Sequence, residues 1–122
     1  MKNNNKYIPE RNHIIWLDYE PTKGKEIGKY RPSLVLSSKE YCKNTGLVIC
    51  CPISTSIRGA KTEVAVSNLD KPSVVATTLI QTLSWKERKV KFIDEAEEGV
   101  MQNVLTRILV LLGADELIKT LL

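Results

Sequence analysis

The chain has 122 residues, the length of one domain (residues 1–122), and can bury roughly two thirds of its unfolded surface. Hydrophobic residues make up 43% and charged residues 26%, which fits a soluble globular protein. The longest apolar run, residues 108–112, excludes a membrane-spanning helix, which needs about 20 such residues. The N-terminal residues lack the apolar stretch of a signal peptide, so a cytoplasmic protein is expected.

The charge is divided unevenly along the chain. Residues 1–93 carry 16 Lys and Arg against 8 Asp and Glu, a formal charge of +8. Residues 94–122 carry 2 against 6, a formal charge of −4. A basic body of this kind predicts a polyanionic ligand or an acidic protein partner, although lysine-rich domains also occur without either.

Short apolar and β-branched runs, separated by turn residues, predict several strands. In chain order, the predicted elements are a flexible lead-in over residues 1–12, strands over 14–19 and 33–36, a turn over 39–46, a central strand over 47–53, a half-exposed strand over 63–66, a turn over 67–72 and a β-branched run over 73–79. Two polar loops interrupt them. The first loop (residues 20–31) is charged and longer than a simple turn requires, and the second loop (residues 54–62) is basic and rich in hydroxyl groups.

The C-terminal part predicts a helix. Asp94 followed by Glu97 indicates an N-cap with a capping box, and Gly113 indicates the end of the helix. One apolar stripe runs from Val100 to Leu112 by way of 104, 108 and 111. Met101, Leu105 and Leu109 add a second stripe, which predicts that another subunit covers this helix, and residues 115–122 predict a last short helix. Together, the pattern indicates a mainly β (β-dominated α+β) domain, most simply a strongly curled antiparallel barrel.

The cysteines and the histidine argue against several chemistries. Cys50 and Cys51 are adjacent in a strand, so their side chains point to opposite faces and cannot share a metal ion. Cys42 lies in a polar stretch and is expected to be exposed. His13 is the one histidine, which excludes a pair of catalytic histidines and predicts a residue at a strand edge. The chain also lacks a phosphate-binding glycine loop and a nucleophile elbow, so no metal site and no cofactor is expected.

Cations and hydroxyl groups remain as candidates for chemistry, on the two loops. Arg31 stands directly before Pro32, and Ser54, Thr55 and Arg58 lie on the second loop. A guanidinium group matches phosphate oxygens, and a hydroxyl group can donate to a neighbouring oxyanion. Such a pair can stabilise a pentacovalent phosphorane without a metal ion while an RNA 2′-hydroxyl attacks. Ordinary solvated loop residues would give the same pattern.

The sequence resembles the MazF/PemK toxins. The resemblance is carried by WLDYEPTKGKE (residues 16–26), GKYRPSLVLS (28–37), CCPISTS (50–56) and TEV (62–64), and continues through Gln81, Leu83, Ser84–Trp85 and the helix that ends at Gly113. It implies a homodimeric endoribonuclease of a toxin–antitoxin system, built as a small SH3-like, CcdB-type barrel with a C-terminal helix. Members cut single-stranded RNA at short motifs without a metal ion, most often leaving a 2′,3′-cyclic phosphate and a 5′-hydroxyl.

The resemblance also implies roles for single residues. Arg31 matches the catalytic arginine of the family, and Glu26 matches a loop glutamate implicated in activity. Ser54 stands where the family has a catalytic threonine, so either Ser54 or the neighbouring Thr55 supplies the hydroxyl. The usual Gly-Asp before the first strand is replaced by Asn12-His13, which leaves the role of His13 open.

Arginine is effectively always protonated, so we expect Arg31 to stabilise the phosphorane and to donate to the leaving 5′-oxygen, with Ser54 as oxyanion donor and Glu26 as proton acceptor. Trp85 could stack a base, although a core or interface position is more usual. The residues expected to bind the RNA backbone are basic: Lys23, Lys25, Lys29, Arg58, Lys61, Lys86 and Arg88.

The same groove should attract the acidic, disordered C-terminal segment of a cognate antitoxin. The homodimer is expected to form through the C-terminal helix and neighbouring strands. Two alternatives remain open at this point: a CcdB-like gyrase poison, against which the Thr-Leu-Leu C-terminus counts, and a degenerate toxin that binds antitoxin without cutting RNA. The cleavage motif and the RNA class do not follow from the sequence.

Overall fold

A computed structural model describes residues 7–122 as a curled antiparallel sheet with helices on its outside. In chain order the elements are β1 (His13–Asp18), β2 (Tyr30–Val35), α1 (Lys39–Thr45), β3 (Leu47–Ser54), β4 (Glu63–Val66), β5 (Ser73–Ala76), a 3-10 turn (Thr77–Leu79), β6 (Gln81–Ser84), β7 (Lys91–Glu95), α2 (Val100–Leu111) and α3 (Ala114–Leu121). The predicted class, a mainly β domain with a C-terminal helix, is confirmed.

β3 is the strand around which the sheet curls. The strand order is β4-β5-β3-β2-β1-β7, and β6 also pairs with β3. Residues 47–50 of β3 pair with β6, whereas residues 53–54 pair with β5, so one strand edge serves two neighbours in succession. The sheet therefore bends along β3 and encloses a core on each face.

The two adjacent cysteines show both faces of β3. Cys50 packs in a cluster with Ile15 and Val35, while Cys51 packs in a cluster with Leu34 and the α2 side chains. The prediction that they point to opposite faces is confirmed, and both are fully buried because both faces are covered. Burial raises the pKa of Cys51 to about 12, so this thiol stays protonated at neutral pH.

The structure corrects the predictions for Cys42 and its surroundings. Residues 39–45 form a helix rather than a turn, because the Ser38 hydroxyl accepts a hydrogen bond from the Tyr41 amide and Gly46 ends the helix in the left-handed conformation. Cys42 is consequently buried, not exposed, and its Sγ lies 3.2 Å from the Ser37 hydroxyl.

The predicted start of the C-terminal helix at Asp94 is also wrong. Asp94 pairs with Ile14 in the ladder between β1 and β7, and α2 begins only after Gly99. The Glu97 carboxylate, expected to complete a capping box, accepts hydrogen bonds from the amide and hydroxyl of Ser67 instead. Pairing with β1 therefore overrides the local capping signal.

The two apolar stripes of α2 have different surroundings. Val100, Val104 and Ile108 are buried in the core, as predicted, whereas Leu112 at the end of that stripe is 71% exposed. In the second stripe Met101 packs against the core, but Leu105 and Leu109 are about 40% exposed. The following helix adds exposed Leu117, Ile118 and Leu121 to the same end of the molecule.

The segment before β1 was predicted to be a flexible lead-in over residues 1–12. Residues 1–6 of this segment lie outside the described residues. Residues 7–12 are held in place, which corrects that prediction for them. Pro9 is fully buried, the Asn12 amide donates to the Val35 carbonyl, and the Tyr7 hydroxyl lies 2.7 Å from Nδ1 of His13. His13 is the first residue of β1, and its ring stacks on Tyr7 and meets Phe92 edge-on.

Candidate active site

The ends of β2 and β3 bring Arg31 and Ser54 together. Ser33 of β2 lies opposite Pro52 of β3 in an antiparallel ladder. Two residues further along each strand are Arg31 and Ser54, so the same register places them opposite each other. Because side chains alternate across a strand, both point to the face on which Ser33 lies. Arg31 thus belongs to β2, paired with Leu17 of β1, and not to the first loop where the sequence placed it.

Ser54 and Thr55 point to opposite faces of the sheet. Ser54 is the last residue of β3 and lines a cavity with Lys25 and Arg58. Thr55 lines a different cavity with Trp16 and Pro32. Of the two hydroxyl groups that the sequence left open, the one on the Arg31 face is therefore that of Ser54. Its Oγ accepts a hydrogen bond of 3.0 Å from the amide of Ser56.

Arg31 is half-buried and held from within its own segment. Its Nε donates to the Gly28 carbonyl at 2.8 Å. Loss of water around the side chain lowers the pKa of Arg31 from its usual value, and the nearby Tyr19 acts in the opposite direction. Among residues 7–122, its two terminal nitrogens have no hydrogen-bond partner. The guanidinium group therefore has free donors on a partly desolvated surface, at the strand position that the register places opposite Ser54.

A buried polar pair supports this position from below. The hydroxyl groups of Tyr19 and Ser33 form a short hydrogen bond, and Ser33 also donates to the Cys51 carbonyl at 3.1 Å. Tyr19 is 2% exposed, and its amide donates to the Lys29 carbonyl. Tyr19 and Ser33 therefore fix the start of the first loop relative to β2, directly behind Arg31.

The first loop is closed by contacts between its two ends. The Glu20 carboxylate accepts from the Lys29 amide at 2.8 Å, and a side chain at Gly28 would collide with that carboxylate. The Arg88 guanidinium donates to the carbonyl groups of Asp18 and Glu20. Glu26 caps its own turn, since its Oε1 accepts from the Lys23 amide at 2.6 Å.

The second loop is organised by one carboxylate. Oε1 of Glu63 accepts hydrogen bonds from the amides of Arg58, Gly59 and Ala60, at 2.9–3.3 Å. This arrangement closes the loop over a cavity of about 410 Å³ that also receives Lys25 of the first loop. Both loops thus border one open cavity next to Ser54.

The predicted RNA-binding residues are not all at this cavity. Lys25 and Arg58 line it, and Lys23 and Lys29 are exposed on the first loop. Lys61 is exposed on the second loop, where its carbonyl accepts from Arg107. These five cations are within the region of the two loops.

The remaining two predicted cations have other surroundings. The Arg88 side chain holds the start of the first loop, as described above. Lys86 lies over the Trp85 ring, 5.9 Å from its centre, and close to Gly46. Gly46 precedes β3, whereas Ser54 ends it, so eight strand residues separate Lys86 from the cavity by roughly 25 Å.

Trp85 takes the structural position that the sequence favoured. Its Nε1 donates to the Cys42 carbonyl at 2.9 Å, and its ring packs against the cluster of Cys50. The sequence reasoning missed a different aromatic pair, Trp16 and Tyr30, whose rings stack with centres 5.3 Å apart. The signal in the sequence was the aromatic character of both residues, and the ladder between β1 and β2 places them on one face.

Within residues 7–122, no three His, Cys, Asp or Glu side chains come close enough to hold a metal ion. No helix in that range is long and apolar enough to cross a membrane.

Comparison with known proteins gives concordant results. The model of the family of PemK-like, MazF-like toxins of type II toxin–antitoxin systems matches residues 10–112. The chain is 31% identical over 108 residues to the endoribonuclease toxin MazF of Escherichia coli (strain K12), covering 88% of this chain and 97% of that protein.

Among solved structures, MazF (Form-I) from Deinococcus radiodurans superposes with a TM-score of 0.85 at 34% identity, covering 88% of this chain and 99% of that one. The MazE–MazF structure (Form-II) from the same organism gives a TM-score of 0.77 at 30% identity, covering 88% and 98%.

Proposed function

Because the chain belongs to the family of PemK-like, MazF-like toxins of type II toxin–antitoxin systems, we propose that it cuts single-stranded RNA at a short sequence motif without a metal ion. The curated relative from Escherichia coli is an endoribonuclease toxin. The observation that carries the proposal is the register between β2 and β3, which sets Arg31 opposite Ser54 beside a cavity bordered by both loops.

The reaction is an internal transfer at one phosphate. The 2′-oxygen of the nucleotide before the cut bonds to phosphorus, the bond from phosphorus to the 5′-oxygen breaks, and the products carry a 2′,3′-cyclic phosphate and a 5′-hydroxyl. The Arg31 guanidinium group donates hydrogen bonds to equatorial oxygens of the phosphorane, and the Ser54 hydroxyl donates to a further oxygen of the same phosphorane. Charge that develops in the transition state is thus met by donors already in place.

Proton transfer requires two further groups. Glu26 accepts the proton of the 2′-hydroxyl, and Arg31 donates a proton to the leaving 5′-oxygen. Proton exchange with water then returns both side chains to their starting states. In the free protein the Glu26 carboxylate binds the Lys23 amide. We expect the first loop to close on the RNA, so that this carboxylate reaches the 2′-hydroxyl.

The RNA strand follows the exposed cations of the two loops. Lys23, Lys25 and Lys29 belong to the first loop, and Arg58 and Lys61 belong to the second; Lys25 and Arg58 line the cavity between the loops. Cations on both sides of an open groove suit a flexible phosphate backbone, while the bases remain free to be read. The roles predicted for Lys86 and Arg88 apply to the strand beyond this groove.

A cognate antitoxin inhibits the enzyme by occupying the same groove. The MazE–MazF structures from Deinococcus radiodurans contain a protein similar to this chain. An acidic segment of the partner would bind the cations of the two loops, because it carries the same sign of charge as RNA. Activity should therefore be lost when the antitoxin is present in equal amount.

We place the homodimer contact on α2 and its neighbouring strands, with α3 as an extension. Replacing Leu109, which is 39% exposed, by glutamate is expected to raise the dissociation constant of the dimer at least about 100-fold, because the interface would bury an unpaired charge. Analytical ultracentrifugation should show twice the 13.8 kDa chain mass for the wild type and the chain mass for Leu109→Glu.

The matched control is Asn103→Glu, a glutamate on the same helix about 120° away from Leu109. This variant should remain dimeric. A wild type that sediments as a monomer, or a Leu109→Glu variant that stays a dimer at low micromolar concentration, would remove the contact from α2.

The cleavage itself is tested with purified protein and a long single-stranded RNA in excess EDTA. The expected result is cutting at one recurring motif, with 5′-hydroxyl ends that a polynucleotide kinase labels directly. Intact RNA together with inhibited DNA gyrase would identify a gyrase poison, and intact RNA with tight antitoxin binding would identify a degenerate toxin. Either outcome rejects the proposal.

A further inference from the structure

A second cavity, of about 420 Å³, begins one residue away from each member of the Arg31 and Ser54 pair. Pro32 and Thr55 line it, and each follows a residue of that pair in the chain, so the two sites share the backbone of β2 and β3. Consecutive Cα atoms are about 3.8 Å apart, so the two cavities lie back to back at one end of β2 and β3, one on each face of the sheet. A strand that passes around this end reaches both. The volume lies in the range of small-molecule sites.

The lining of this cavity differs from that of the first. Trp16 and Leu69 give it apolar walls, and Asp70 and Asp94 give it carboxylates, with Lys71 as the one cation. Within residues 7–122, the Asp70 carboxylate accepts no hydrogen bond, so it is free to bind a ligand. The lining of this cavity is thus apolar and net acidic, whereas the loops around the first cavity are basic.

An aromatic stack leads into the cavity from outside. The ring of Tyr30, 45% exposed, lies against that of Trp16 with an angle of 24° between the planes. The Tyr30 hydroxyl donates to the Lys89 carbonyl at 2.8 Å, which fixes the ring. Fixed aromatic surfaces next to a phosphate-binding groove are the usual stacking partners of unpaired bases.

We propose that this cavity is the site that selects one base of the RNA motif, and that it takes a base with an exocyclic amino group. Asp70 would accept hydrogen bonds from that amino group while the base packs against Trp16. This inference rests on the proposed function, because the base is that of a nucleotide adjoining the phosphate at Arg31.

Charge decides between the possible occupants. Asp70 and Asp94 outnumber Lys71 in the lining, so the cavity is net negative and disfavours a phosphate or an acidic antitoxin segment, which carry the same sign of charge. A carboxylate accepts hydrogen bonds and donates none at neutral pH, so it favours amino groups and disfavours the O4 carbonyl of uracil. A base edge with an amino group satisfies both the apolar wall and the carboxylate.

The test compares Asp70→Asn with the wild type on a pool of randomised RNA, sequencing the cut ends. The wild type should require an amino-bearing base at one motif position, about tenfold over uracil. Asparagine both donates and accepts, so the variant should accept uracil there while other positions keep their preference. Glu87→Gln, which removes an exposed carboxylate outside the cavity, should leave the motif unchanged.

A binding measurement separates this inference from the proposed function. In a Trp85→Phe background, Trp16 is the one tryptophan, and its fluorescence reports on the cavity. Octamers of adenylate or cytidylate should quench it at concentrations about tenfold lower than an octamer of uridylate, and Asp70→Asn should reduce that difference.

Unchanged motifs and equal quenching in Asp70→Asn would overturn the subsite while leaving RNA cleavage intact. Quenching by the octamers without any cutting by the wild type would instead overturn the proposed function alone. Quenching by an acidic antitoxin peptide but by none of the RNA octamers would assign the cavity to the peptide and overturn the subsite.

Discussion

Arg31→Ala is expected to slow RNA cleavage by a factor of about 10²–10³, the usual cost of removing one donor to a developing oxyanion. Only Nε of Arg31 is engaged, with the Gly28 carbonyl, and the terminal nitrogens are free among the described residues. The change therefore removes donors from the transition state and one local contact from the fold. Single-turnover rates on a short RNA containing the motif measure the effect.

Arg31→Lys is the matched comparison. Lysine keeps the positive charge but lacks the planar fork, so we expect a loss of at least about tenfold, between those of the wild type and the alanine variant. Circular dichroism and thermal unfolding should be close to wild type for both, because the side chain is half-buried at the end of a strand. An alanine variant with an unchanged fold that cuts RNA at the wild-type rate would remove Arg31 from the site.

The second large effect concerns Ser54. Ser54→Ala should reduce the cleavage rate by about 10², whereas Thr55→Ala should reduce it less than about threefold, because only Ser54 lies on the Arg31 face. Ser54→Thr keeps the hydroxyl and should retain most of the activity. The same single-turnover assay applies to all three variants, with thermal unfolding as the control for the fold.

The opposite ranking of the two cleavage rates would contradict the assignment of Ser54. If Thr55→Ala were nearly inactive and Ser54→Ala active, the hydroxyl group would have to act from the second cavity, and the register argument would fail. The two neighbouring residues therefore test which face of the sheet holds the reacting phosphate.

Much of the fold follows from local patterns in the sequence. The dense apolar run over residues 47–53 predicts the central strand, and the alternation of side chains places Cys50 and Cys51 on opposite faces, as observed. The apolar spacing of Val100, Val104 and Ile108 predicts the buried side of α2. These elements are decided by side-chain periodicity, which neighbours along the chain already determine.

The errors have two origins, one distant in the sequence and one local. Asp94 has the local features of a helix N-cap, but its pairing with Ile14 of β1 extends the sheet through it. Cys42 lies among polar residues, yet a capped helix folds its thiol onto the sheet. The pairing of Asp94 depends on residues far apart in sequence, which no window of a few residues contains. The helix that buries Cys42 has local caps, Ser38 and Gly46, which the predicted turn did not take into account.

The same distinction applies to the candidate site. Family resemblance predicts a role for Arg31 and for a hydroxyl at residue 54 or 55, but not their mutual placement. The register between β2 and β3 separates Ser54 from Thr55 by face, and the second cavity forms from β1, β2, the residue after β3, the turn at Asp70 with the start of β5, and β7. That cavity could not be read from spacing, since its walls come from five separate segments.

The most direct test of the central claim replaces one oxygen atom of the substrate. A short RNA containing the mapped motif is compared with the same RNA carrying a 2′-deoxy nucleotide immediately before the cut, both in EDTA. Attack by the 2′-oxygen at a phosphate held by Arg31 and Ser54 predicts that the RNA is cut and that the 2′-deoxy version is bound but stays intact. Cutting of the 2′-deoxy RNA at the same bond would show that another nucleophile acts and would contradict the mechanism.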